Sequence, residues 1–146
     1  MDKSKILETV KKRIAEKMLK FEELIASTRA SSNDTKSSMG DKYETGREML
    51  QQEINNLQRQ LNEAAAQQTA VQKITAESSA KVQSGALVKT DKGLFYISAS
   101  VGEVVSDNRK IMTVSPESPL VKAMAGLGKG QTCFVNTVSH HIEEIW

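Results

Sequence analysis

The strongest constraint in this sequence lies between residues 50 and 71. Leu50, Ile54, Leu57, Leu61, Ala64, Gln68 and Val71 follow one another at alternating steps of four and three. That spacing is a heptad seam, one apolar stripe along a helix. A helix with a single apolar stripe gains little stability alone and needs a partner to cover it. A second stripe precedes it, through Leu7, Val10, Ile14, Met18, Phe21, Leu24, Ile25 and Thr28, with charged residues filling the other positions. No Pro or Gly interrupts residues 1–39. The nearest partner for each stripe is the other, folded back through the polar stretch "SSNDTKSSMGDKYETGREML" at residues 31–50. The spacing therefore predicts an antiparallel helical hairpin over residues 1–77, with its tip at about 31–44. Roughly 25 paired residues make an arm about 40 Å long at 1.5 Å per residue. The seams also have the option of pairing between chains. Two seams of similar length flanking one breaker segment favour the intramolecular hairpin, and with it a monomer. Gln68 and the Ala64–Ala66 run weaken the seam toward its end, so the helix is expected to fade near residue 77.

After "TAESSAKVQSG" the pattern changes to short strands and turns. "GALVKT" and "LFYISAS", joined by "DKG", read as a hairpin, and "KIMTVS" as a further strand. "SPLVKAMAGLGKG" reads as a short helix with Ser118 as N-cap, Pro119 at its first position and Gly126 or Gly128 beyond its end. "QTCFVNT" and "HHIEEIW" close the chain as strands. Residues 84–146 thus read as a small α+β domain, a mostly antiparallel sheet covered by one helix.

Composition narrows the function classes. A net charge of +2 lacks the basic excess of a bulk nucleic-acid binder. Aromatics at 4% leave little to line an aromatic pocket, and the single cysteine, Cys133, excludes an internal disulfide framework. No apolar run approaches the ~18 residues of a membrane span, and the charged start "MDKSKILETVKKR" has no signal-like apolar stretch. The expectation is a cytoplasmic protein without a membrane partner.

Cys133, His140 and His141 superficially supply the parts of a thiol enzyme. Cys133 lies in an apolar strand pattern, where a small buried hydrophobe is expected, and adjacent histidines on a strand point to opposite faces. Neither catalysis nor stable metal binding is expected from them. The glycines of "GLGKGQ" follow a helix instead of preceding one, so they read as a C-cap and turn, not a phosphate loop. The remaining acids of note are Asp34, Asp41 and Glu44 at the tip. They suit either a helix start, where acids complement the dipole, or an Mg²⁺ held through few protein oxygens and several waters.

The order of elements, and above all "SPESPLVKAMAGLGKGQTCFV", resembles the Gre transcript-cleavage and elongation factors of bacterial RNA polymerase. The matching residues are Ser118, Pro119, Leu120, Ala123, Gly126, Gly130 and Gln131. The resemblance spans nearly the whole chain, in motif over the last 35 residues and in pattern through the helices. It implies an FKBP-like sheet domain that docks on polymerase, with Ser118, Pro119, Leu120, Gly126 and Gly130 at the contact. It also implies a hairpin entering the secondary channel, where tip acids help hold a Mg²⁺ shared with polymerase beside the RNA 3′ end. The chain would then bring no cofactor of its own and would not be an enzyme by itself.

The family tip runs Gly-Asp-x-Ser-Glu-Asn-Ala-Glu/Asp-Tyr. Tyr43 matches its Tyr, Asp41 the acid before it if Lys42 is inserted, and Asp34 the first Asp with a further insertion. Asp34, Asp41 and Glu44 are the candidate catalytic acids on this mapping. Ser38 stands where the family has its Glu, so a factor that occupies the channel without cleaving is an alternative. A nucleoside diphosphate kinase regulator-like protein, whose arm is expected to be shorter, and a coiled-coil scaffold are others.

Overall fold

The computed structural model describes residues 2–36 and 44–146. Helix α1 spans Lys3–Lys36 and α2 spans Glu44–Gln72. Six strands and a third helix follow: β1 Leu87–Thr90, β2 Gly93–Ile97, β3 Glu103–Ser106, β4 Arg109–Val114, α3 Pro119–Met124, β5 Thr132–Val135 and β6 Val138–Ile145. The chain divides into two compact units, one comprising Met1–Arg13 with Thr69–Trp146, the other Ile14–Gln68.

In the Ile14–Gln68 unit the two stripes meet. Ile25, Ile54 and Leu57 form a buried cluster, and Phe21 and Leu61 pack against it half-buried. The cluster thus joins Phe21 and Ile25 of α1 to Ile54, Leu57 and Leu61 of α2, as a helical hairpin requires. Leu24 stays 40% exposed, because consecutive positions on a helix cannot both face one partner. The outer surface of α2 is held by polar pairs one turn apart. The Gln51 amide donates to Asn55 at 2.9 Å and that of Gln58 to Asn62 at 3.1 Å. Helix α2 ends at Gln72, before residue 77, and its last turn tightens: Ile74 N–H donates to the Val71 carbonyl at 3.0 Å.

In the other unit Asp2 caps α1, accepting from the Ser4 and Lys5 amides at 3.0 and 3.4 Å. The strands form one sheet in the order β3-β4-β2-β1-β6-β5. Four of the five pairings are antiparallel, and β2 with β4 is parallel. That pair exists because β3, a strand absent from the sequence reading, takes the outer place beside β4. The β3–β4 turn is Asp107-Asn108, both at positive φ (52° and 61°). Two successive left-handed residues make the turn whose twist suits a tight hairpin.

The sheet buries both faces. On one, Val88, Ile97, Cys133 and Ile142 pack with Val121 and Met124 of α3. On the other, the pairing registers align Leu87 with Tyr96 and Ile111 with Val104, all buried. The first turns of α1 belong to this unit, with Ile6 and Val10 fully buried. Their polar ties are direct: Lys3 Nζ donates to the Glu77 and Trp146 carbonyls at 2.6 and 2.9 Å. Burial lowers the pKa of that amine below the ordinary lysine value. Gly85, at φ 89°, fits between these layers because an added Cβ would stand 3.0 Å from Ile74 Cγ2. No helix among the described residues is long and apolar enough to cross a membrane.

Candidate partner-binding face

Helix α3 is a local consequence of its sequence. The Ser118 hydroxyl accepts from the Val121 amide at 3.3 Å, and Pro119 occupies the first turn, where no amide is needed. The helix stops where Gly126 turns to φ 78°. The Gly126 amide then donates to the Val82 carbonyl at 3.0 Å and Val82 N–H to Leu127 at 2.8 Å. Gly130, at φ 89°, donates to Ile142 at 2.8 Å.

The five residues expected at a partner contact therefore fall on one helix and its two flanks. Their environments differ. Leu120 packs half-buried on the core around Met124, and Ser118 is committed to the cap. Pro119, Gly126 and Gly130 are exposed, as is Lys122 between them.

The same face of the sheet carries a feature that the sequence reading missed. Phe95 pairs with Val88 and with Met112, so all three side chains share the face that α3 covers further along. Met112 is 43% exposed and Phe95 half-buried. They line a shallow depression of about 300 Å³, with Lys92, Lys110 and Glu103 at its rim. The available signal was the alternation of "KIMTV", which sets Ile111 and Thr113 on one side and Met112 on the other.

Of the Cys133–His140–His141 set, the two histidines do point apart. His140 is buried with its ring edge-on to Phe95 at 6.2 Å between centroids. His141 is exposed, its Nδ1 3.0 Å from Thr132 Oγ1. Cys133 lies directly across from His140 in the β5–β6 register. Burial raises the Cys133 thiol above its ordinary pKa, which disfavours the nucleophilic thiolate. Tyr96 is fully buried and its phenol is pushed up to about 12 by the same desolvation.

The tip acids are placed only in part. Asp34 lies in the last turns of α1 and Glu44 begins α2, while Asp41 falls outside the described residues. Among the described residues no three His, Cys, Asp or Glu side chains gather at metal-binding distance.

No protein-family model matches the chain, and no curated protein matches it. Among solved structures the chain is similar to the transcription factor Gfh1, at 15% identity over 92% of each chain with a TM-score of 0.42. It is also similar to GreA factor homolog 1 (Gfh1) of Thermus thermophilus, at 16% identity over 93% of this chain and 94% of that one, TM-score 0.35. Gfh1 of Thermus aquaticus gives 15% identity over 92% of each chain, TM-score 0.35.

Proposed function

We propose that this chain is a polymerase-binding factor of Gre type, held on bacterial RNA polymerase by the α3 face and delivering the turn of its helical hairpin into the secondary channel. The observation that carries this reading is the α1–α2 hairpin, closed by Phe21, Ile25, Ile54, Leu57 and Leu61, in a chain that also has the Gre-like Ser118–Gln131 stretch. From Arg13 to Lys36, α1 measures about 35 Å at 1.5 Å per residue, a length suited to carrying a tip away from an anchor. The exposed Pro119 and Lys122 supply the contact, while Ser118, Gly126 and Gly130 hold the backbone beneath them. The test is saturable binding of the labelled full chain to core polymerase. Pro119→Asp, a change at an exposed position, is expected to weaken binding at least tenfold without changing the melting temperature. No saturable binding by the unmodified chain overturns the reading.

On this reading the chemistry belongs to polymerase. The tip lends carboxylate charge that eases recruitment of a second Mg²⁺ for hydrolysis of a backtracked RNA 3′ end. Asp34, Asp41 and Glu44 are the residues for that role. Lys36 and Lys42 lie close in sequence and oppose it, so the expected activity is weak, Mg²⁺-dependent cleavage. Asp41→Asn or Asp34→Asn should reduce cleavage further while binding survives. Ser38, in place of the family's Glu, favours a second reading, a channel-occupying factor that does not cleave. Tight binding with no cleavage by the unmodified chain selects it.

A further inference from the structure

We propose that the outer edge of β3, with α1 beside it, is a strand-addition site for an extended peptide, and that the peptide places a β-branched residue opposite Val105. This inference is independent of polymerase binding.

The geometry begins at the turn. Asp107 and Asn108 form a two-residue loop, so Ser106 and Arg109 are its closing pair and exchange backbone hydrogen bonds. In an antiparallel ladder the hydrogen-bonding direction alternates along the strand. Ser106 and Val104 therefore address β4, as Gly102 does in accepting from the Thr113 amide at 3.2 Å. Glu103 and Val105 turn their backbone groups outward; of Val101 only the carbonyl does, its amide donating to Thr113 Oγ1 of β4 at 2.9 Å.

Two of those outward carbonyls are occupied. Arg13 of α1 donates Nη1–H to Val101 at 3.3 Å and to Glu103 at 2.5 Å. The guanidinium thus covers the first part of the edge, one of the ways proteins blunt an open strand. The cover stops short of Val105. No hydrogen bond from the described residues reaches the Val105 amide or carbonyl. Beside them lies an open groove of about 480 Å³, with Lys5, Glu8, Thr9 and Lys12 on the α1 side and Val105–Asp107 on the other.

The chemistry of the groove selects its occupant. An outward N–H and C=O on one residue are complementary to the same pair on another extended backbone. Lys5 and Lys12 are balanced by Glu8 and Asp107, so the lining has no net charge to favour a strongly ionic ligand. The Val105 side chain, 62% exposed, offers apolar surface to the residue paired with it, and β-branched residues suit such cross-strand contacts. The occupant is an extended, weakly charged peptide, walled on its far side by α1.

The test uses the ¹⁵N-labelled full chain and a capped pentapeptide, acetyl-Ser-Thr-Val-Thr-Ser-amide, titrated to millimolar concentration. The Val105 and Ser106 amide signals should shift saturably, and hydrogen exchange at Val105 should slow severalfold, while amides of α3 stay in place. The same peptide N-methylated at its valine should lose at least most of that shift, because the paired N–H is gone. Thr9→Trp, which fills the groove from a half-buried helix position on its α1 wall, should abolish it. An unmoved Val105 amide, equal binding by the N-methylated peptide, or shifts centred on Phe95 and Met112 instead would each overturn the proposal.

Discussion

The Ile14–Gln68 unit and the sheet bury their apolar surface in different ways. In the helical pair, one cluster of three buried residues, Ile25, Ile54 and Leu57, is flanked by half-buried Phe21 and Leu61. Beneath α3, eight buried residues make one cluster with contributions from α3, β1, β2, β5, β6 and the segment before β1. Two helices can cover only one side of each other, so flanking residues such as Phe21 and Leu61 keep an edge near water. A sheet face covered by a helix closes around each residue from several directions. The difference teaches that the same deletion should cost unequal amounts in the two places.

The largest effect is expected at Ile142, fully buried in the α3 cluster. Ile142→Ala should lose about 4 kcal/mol, since the transfer term is complete and neighbours from several elements resist collapse. Urea unfolding followed by Trp146 fluorescence measures it, Trp146 being the sole tryptophan and part of the sheet unit. Leu57→Ala in the helical pair should cost less, about 2 kcal/mol, because two helices can close part of the gap. Helical circular dichroism should then fall at lower urea than Trp146 fluorescence. If both signals move together in one transition, the contrast between the units fails at the level of cooperativity. If Leu57→Ala costs as much as Ile142→Ala, it fails at the level of packing.

The smallest effect concerns how the sheet is pinned at its surface. The Asp91 carboxylate accepts from the His141 amide at 2.8 Å, and Asp91 N–H returns a bond to the His141 carbonyl at 3.1 Å. That amide bond, more than the nearby Lys92, holds the Asp91 pKa below its ordinary 3.8. A carboxylate with a depressed folded pKa adds stability above its unfolded value and loses it as pH falls through the folded one. Asp91→Asn should therefore lower the urea midpoint slightly at neutral pH and flatten the loss of midpoint below pH 3.8. An unchanged acid limb would remove Asp91 from the account. The helical pair should show no response to this substitution in either pH range.

Much of this was legible in the residues because local rules wrote it. The seam from Leu50 to Val71 dictates a helix and its buried side, and none of its seven positions is exposed except as half-buried Leu50, Leu61 and Gln68. Ser118 and Pro119 mark a helix start whatever surrounds them, and Gly126 marks its end. β3 escaped because its strand is four residues long and its turn is Asp-Asn, without the glycine that usually announces a two-residue hairpin. The parallel β2–β4 pair escaped with it. The Phe95–Met112 depression was unreadable for a related reason: alternation reveals that a side chain has a face, but not what covers it.

The amino-acid sequence by itself determined the three helices, five of the six strands and the apolar side of the helical seams, because backbone propensity and side-chain period act within a few residues. Only tertiary structure decided how the first stripe is shared. Its period runs without a break from Leu7 to Thr28, yet Leu7 and Val10 lie in the unit of the sheet, while Phe21 and Ile25 pack on α2. A periodic stripe specifies a buried direction but not a partner. The partner is set by whichever apolar surface the rest of the chain brings alongside, and here that surface changes along a single helix.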